Sequence, residues 1–226
     1  MIVPSRGRPQ NIAGLVRCWQ ETTTDAHLMV AVDNDDPALS GYLDLELPAL
    51  EPLVTLAVGP RRRMVGTLNH LAVPAAGNYF ALGFMGDDHR PRTPGWDSEL
   101  VKALREMGTG IVYGDDLFQG ERLPTAAVMT SDIVRVLGYM VPPSLTHLYV
   151  DNTWKAWGEG VGRLRYLPDV VLEHAHPLHP RGAKAAWDPG YAEVNDPSMY
   201  ARDGAAFQRY VATELDRDLK AMRALL

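Results

Sequence analysis

Cysteine is almost missing from this 226-residue chain, and the lone Cys18 excludes an internal disulfide framework. One thiol suits a reducing compartment, and on an early helix it reads as a small core residue. An excess of basic charge is also lacking. Lys and Arg number 22 against 28 Asp and Glu, and the net charge of −6 disfavours a protein devoted to gripping a nucleic-acid backbone. No apolar run is long enough to read as a bilayer span. Met1-Ile2-Val3-Pro4 enters a strand-like stretch without the basic-then-apolar order of a secretory signal. A soluble, cytoplasmic protein without stable membrane insertion is therefore expected. Fixed-period repeats and low-complexity tracts are absent too.

What the chain does have is alternation. Ile2-Val3-Pro4 precedes Ile12, Leu15, Val16 and Trp19, whose three-four spacing predicts an amphipathic helix. Leu28 to Val32 is a continuous apolar run that stops at Asp33, as a buried parallel strand would. Val54–Val58, Tyr79–Met85 and Ile111–Tyr113 read as further strands. Helical stripes lie between them, over 65–71 and from Trp96 to Met107. This order predicts one α/β domain with a mostly parallel central sheet, helices on both faces and a C-terminal helix. Ligands of such sheets gather at the carboxyl ends of the strands, where Asp33, Asp87-Asp88 and Asp115-Asp116 fall. Beyond Gly120 a helix is expected from Ser131. A strand-like Leu148-Tyr149-Val150 is expected next, then a loop from Arg181 to Pro197. The terminal helix would pack on the body or on a second copy of the chain.

Four groups could carry chemistry. Gly86-Asp87-Asp88-His89 places two carboxylates at a strand end, able to hold Mg²⁺ or Mn²⁺, and reads equally as an Asp-rich turn. His174 and His176, two apart on an extended segment, would face one side. They suit manganese or zinc, or are loop histidines. Asp151 can act as a general base or cap the helix bearing Trp154 and Trp157. Pro4-Ser5-Arg6-Gly7-Arg8 follows the first strand and can meet a nucleotide, although it has neither a P-loop ending nor a dinucleotide glycine fingerprint.

Taken in order, these motifs resemble the GT-A glycosyltransferases, particularly the family 2-like group. Pro4-Ser5-Arg6 matches the family's first loop, Asp33 its base-contacting acid, and Gly66-Thr67-Leu68-Asn69 its Gly…Asn helix. Asp87-Asp88 matches the metal motif, with His89 where a third acid often stands. Val150-Asp151-Asn152 occupies the catalytic-acid position, in place of the commoner Glu-Asp pair. The stretch Leu145–Asn152 is also similar to small glycosyltransferases encoded by bacterial viruses. The resemblance implies a single GT-A, Rossmann-like domain over 1–226. Residues 1–116 would form a nucleotide-sugar-binding half, 117–190 an acceptor-side half and 191–226 a C-terminal loop and helix.

The implied donor is a nucleoside-diphosphate sugar, UDP-linked by family habit, contacted by Pro4, Ser5, Arg6, Asp33, Arg63, Asn69 and Asp87. Asp88 with His174 or His176 would hold Mn²⁺ or Mg²⁺, Arg63 or Arg92 would add charge at the departing nucleotide, and Asp151 would be the base of an inverting transfer, a retaining route being open if Asp151 is only structural. The acceptor is left open between a modified DNA base, a protein, a glycan and a lipid-linked sugar. A nucleotidyltransferase and a non-catalytic, virion-associated binding module are the alternatives.

Overall fold

The computed structural model describes residues 1–47, 54–179 and 187–226. Strands β1 (Ile2–Ser5), β2 (Leu28–Asp33) and β3 (Val54–Gly59) form a parallel sheet in that order. A five-stranded sheet runs in the order β4 (Ala81–Gly83), β7 (Ala127–Thr130), β6 (Ile111–Asp115), β8 (Leu164–His174) and β5 (His89–Pro91). A parallel bridge from Ile2 to Phe84, just past β4, ties β1 to this second sheet.

Alternating residues along the strands divide the core in two. Val3, Val112 and Val128 face helix α1 (Pro9–Thr22) and α4 (Trp96–Met107). Their neighbours Ile2, Ile111, Ala127 and Met129 face α3 (Arg63–Ala75), α5 (Ser131–Leu137) and α6 (Val150–Gly160). Helices therefore cover both faces, as expected. Pro9 suits the first helical position of α1, and the predicted Ile12, Leu15, Val16 and Trp19 are the buried stripe. Trp19 meets Trp96 of α4 edge-on at 5.2 Å.

The sheet is parallel through β1–β3, as the sequence predicts, and mixed beyond them. β6 and β8 pair in parallel, while β7 and β5 run against their neighbours. The physical reason is the short link from β6 to β7, which carries no crossover helix and so returns the chain antiparallel. Other elements depart from expectation. Tyr79 and Phe80 are exposed and lie outside β4. Leu148-Tyr149-Val150 is not a strand, because Tyr149 turns into the left-handed region (φ 64°) and starts α6.

The loop expected from Arg181 begins outside the described residues. Its later part holds two helices, α7 (Pro189–Val194) and the start of α8 (Pro197–Thr213), with Asp188 and Asp196 as their caps. A short α2 (Leu39–Leu43) follows β2, and α9 (Leu215–Arg223) ends the fold. In α9 the buried Asp218, Leu219 and Met222 are turned to the body, and Asp218 accepts hydrogen bonds from Tyr139 and Tyr210. Among the described residues no helix is long and apolar enough to cross a membrane.

Candidate functional site

A cavity of about 800 Å³ opens beside the carboxyl ends of β1 and β2, the edge where open α/β sheets bind ligands. Its size matches an ordinary small-molecule or cofactor site. Pro4, Ser5, Arg6 and Asp33 line one end, Asp87, Asp88 and His174 the floor, and Asp151 the far wall.

The floor is built by strand pairing. His89 opens β5 and lies directly opposite His174 at the end of β8, so the two rings stack with centroids 4.2 Å apart. Gly86 is needed at the turn before them, since a Cβ there would lie 2.6 Å from the Asp88 carboxylate. Asp88, His89 and His174 each bring one ligand atom within 4.8 Å of the others. A carboxylate with imidazoles is a donor set suited to Mn²⁺ and related divalent ions.

His174 presents Nε2 to Asp88 at 3.4 Å, while its Nδ1 lies 3.9 Å from Asp116. Asp116 is itself fixed by the N–H groups of Phe118, Gln119 and Gly120 and by the Thr125 hydroxyl. A second carboxylate behind a histidine is the usual way a metal-binding imidazole is oriented. Burial opposes charge on His174, but Asp116 and Asp88 outweigh it and push the imidazole up to about 9. Burial likewise works against an ionised Asp88, yet His174 and His89 hold it well below the usual carboxylate range.

The neighbouring acid behaves differently. Asp87 accepts from Ser5 Oγ at 2.6 Å and from Asn11 at 3.2 Å, and Arg8 lies 3.5 Å away. Burial and the adjacent Asp88 push its carboxyl up to about 6. It ties the floor to β1 and α1, whereas Asp88 faces the histidines.

Basic groups surround the end of the cavity lined by Pro4, Ser5, Arg6 and Asp33. Arg6 joins Asp33 at 2.9 Å and Asp35 at 2.6 Å, and Arg61 approaches Asp33 at 3.8 Å. Arg8 grips Asp188 with two nitrogens at 2.6 and 2.8 Å, and its guanidinium lies over the Tyr191 ring. Arg61 and Arg63 both reach Glu193. Tyr191 donates its hydroxyl to Asp88.

On the far wall, buried Asp203 of α8 accepts the N–H groups of Thr146, His147 and Leu148. The held segment leads through Tyr149 to Asp151 in the first turn of α6. Burial raises the Asp151 carboxyl above its ordinary value. Arg63, Leu117 and Tyr149 have φ of 58°, 60° and 64°. Arg63 and Tyr149 line the cavity and Leu117 adjoins Phe118, which also does, as strained residues at ligand sites commonly do.

Most residues singled out in the sequence thus converge, and three do not. Asn69 uses its amide on the backbone of Met140 and Val141, at 2.8–3.0 Å, and props that loop instead of reaching the cavity. His176 lines the cavity but stacks on Phe118, outside the cluster formed by Asp88, His89 and His174. Arg92 pairs with Glu173 away from the cavity. Tyr191, Asp188, Glu193 and the anchoring role of Arg8 were missed. Their contacts span 103 to 180 residues of chain, and no local pattern marks them.

No family model matches the chain, and no curated protein matches it in sequence. Solved structures do resemble it. A mannosyltransferase from Pyrobaculum calidifontis, PcManGT, in complex with GDP-Man and Mn²⁺, superposes with a TM-score of 0.60 at 16% identity, over 99% of this chain and 72% of that one. A 1-349 fragment of S. aureus TarS in complex with UDP gives 0.58 at 12% identity over 76% of this chain, which spans 58% of the fragment's length. A protein described as a glucose-1-phosphate thymidylyltransferase from Bacillus anthracis gives 0.50 at 11% identity, over 74% of this chain and 85% of that one. What this chain shares with them is the fold, and that fold is the GT-A type.

Proposed function

We propose that the chain is a metal-dependent glycosyltransferase that moves a sugar from a nucleoside-diphosphate sugar to an acceptor hydroxyl. One observation carries this reading: Asp88, His89 and His174 converge on the floor of a cavity that has arginines and Asp33 at one end and Asp151 at the other. The GDP-Man and UDP complexes of proteins with the same fold support it.

In this reading residues 1–116 bind the donor and 117–190 face the acceptor. Pro4, Ser5, Arg6 and Asp33 receive the nucleoside, and Arg61 and Arg63 flank the diphosphate. Asp88 and His174, joined by His89, hold Mn²⁺ or Mg²⁺, which when bound neutralises charge on the departing diphosphate. Preorganised stabilisation of developing charge is usually the largest catalytic contribution. Asp151 takes the proton of the acceptor hydroxyl, whose oxygen then attacks the anomeric carbon. The bond from that carbon to the diphosphate breaks, its electron pair leaves with the nucleotide, and the anomeric configuration inverts. A carboxylate raised by burial, as Asp151 is, is a better base than an exposed one.

The acceptor is a hydroxyl on a modified DNA base, a protein or a glycan. UDP is the donor nucleotide we favour, with GDP the competitor. The test is a panel of nucleotide sugars with Mn²⁺ or Mg²⁺, read by mass spectrometry and thermal shift. Release of a nucleoside diphosphate supports sugar transfer. Release of pyrophosphate supports a nucleotidyltransferase, the second reading, to which the thymidylyltransferase-like fold lends weight. A raised melting temperature without turnover under any metal points to a binding module.

A further inference from the structure

Segment 188–193 engages the groups that a donor would need. Glu193 accepts from Arg61 at 2.9 and 3.1 Å and from Arg63 at 3.0 Å. Asp188 takes the fork of Arg8, and the Tyr191 hydroxyl sits on the same Asp88 oxygen that faces His174 Nε2. Two carboxylates and a hydroxyl from one short stretch thus meet three arginines and the floor carboxylate. A diphosphate with its cation presents the same chemistry to the same partners. The strap thus takes up donors of Arg61 and Arg63 and a lone pair of Asp88 that phosphate oxygens and a cation would use.

From this we infer that residues 188–193 form an internal donor mimic, a strap that occupies the diphosphate and metal positions and is displaced when a nucleoside diphosphate binds. The inference rests on the donor reading proposed above. α7 has only six residues, too few to be stable alone. Its link through Glu193 is an exposed ion pair, of the kind that contributes little. A diphosphate brings more negative charge and more acceptor oxygens to the arginines than the single Glu193 carboxylate, and so competes with it.

The strap carries its own reporter. Trp19, Trp96, Trp154 and Trp157 are at most 1% exposed, whereas Trp187 is 55% exposed and stacks on Tyr191 at 5.9 Å. Trp187 therefore supplies the acrylamide-quenchable emission, and Trp187→Phe identifies it. The experiment titrates full-length protein with UDP and with GDP, each in Mn²⁺, following Trp187 quenching and, by calorimetry, the Kd of parent and Glu193→Gln. Displacement predicts altered quenching on binding. It also predicts nucleotide affinity roughly two- to fivefold higher in Glu193→Gln, because a smaller closed population lowers the apparent affinity less. Binding with unaltered quenching, or an affinity unchanged or weakened in Glu193→Gln, overturns the strap alone. If neither protein binds either nucleotide, the donor reading fails and takes the strap with it.

Discussion

On the wall formed by β1, β2 and the turn after β4, polar groups sit at strand ends and are aimed by sheet register. Ser5 and Asp33 close β1 and β2 behind buried apolar residues, and Asp88 sits in the turn that leads straight into β5. On the opposite wall the groups are held by individual side chains, near or far along the chain. Asp116 gathers three N–H groups of its loop, Asp203 gathers three of the segment before Asp151, and Tyr191 reaches Asp88. A strand end is positioned by the same hydrogen bonds that make the sheet. A loop is positioned only by the particular acceptors that satisfy its backbone. The first wall should therefore lose chemistry and keep its fold when a site residue is changed, while on the second wall chemistry and stability separate residue by residue.

The largest effect should come from Asp88→Ala, which removes the carboxylate shared by both histidines. Turnover with Mn²⁺ or Mg²⁺ should fall on the order of a thousandfold or more, with far-UV circular dichroism retained. Full activity in that variant would move the metal elsewhere. Next comes Asp151→Asn, which should keep nucleotide affinity by calorimetry and lose transfer by about a hundred- to ten-thousandfold. A rate near the parent's would leave the proton to another group, with Asp115 or Asp116 next in line.

How far the sequence was legible follows the same division. Asp33 and Asp88 were found because an apolar run that stops at an acid identifies a strand end without any tertiary information. The same kind of rule does not separate the two late histidines. It assumed an extended chain through His176, but β8 ends at His174, and the His176 N–H turns back to the His174 carbonyl at 2.7 Å. Alternation stops there, and of the two late histidines only His174 meets Asp88. Asp151 lines the cavity, delivered at the start of a helix that begins at a left-handed tyrosine instead of following the expected strand. Asn69 fitted a helical motif, but its amide was claimed by backbone groups about 70 residues away. Tyr191 and Glu193 left no local signal, because what defines them is a contact across half the chain.

Asp203→Asn gives a smaller effect and tests the loop wall directly. Asp203 is fully buried and is the acceptor for the N–H groups that set the path to His147 and Asp151. Weakening three charge-assisted bonds should lower stability by about 2 kcal/mol in urea titration. It should also reduce transfer more than nucleotide binding. Equal loss of both would mean that the two walls are not separable.

The smallest effect concerns His147, which lines the cavity on the segment that Asp203 holds. Burial, with Arg63 and Arg8 nearby and Asp203 only partly offsetting them, pushes its imidazole down to about 4. In the unfolded chain a histidine titrates near 6.5. Above that value the ring is neutral in both states and stability is unaffected. As pH falls from about 6.5 towards 4 the unfolded state takes up the proton first, so the folded state loses stability through this window. The ring keeps some contact with solvent, and the loss should be on the order of 1 kcal/mol. His147→Gln should flatten the urea midpoint against pH between about 6.5 and 4. An unchanged slope would assign the acid sensitivity to the floor of the cavity, and with it would go the claim that the loop wall carries its own titrating group.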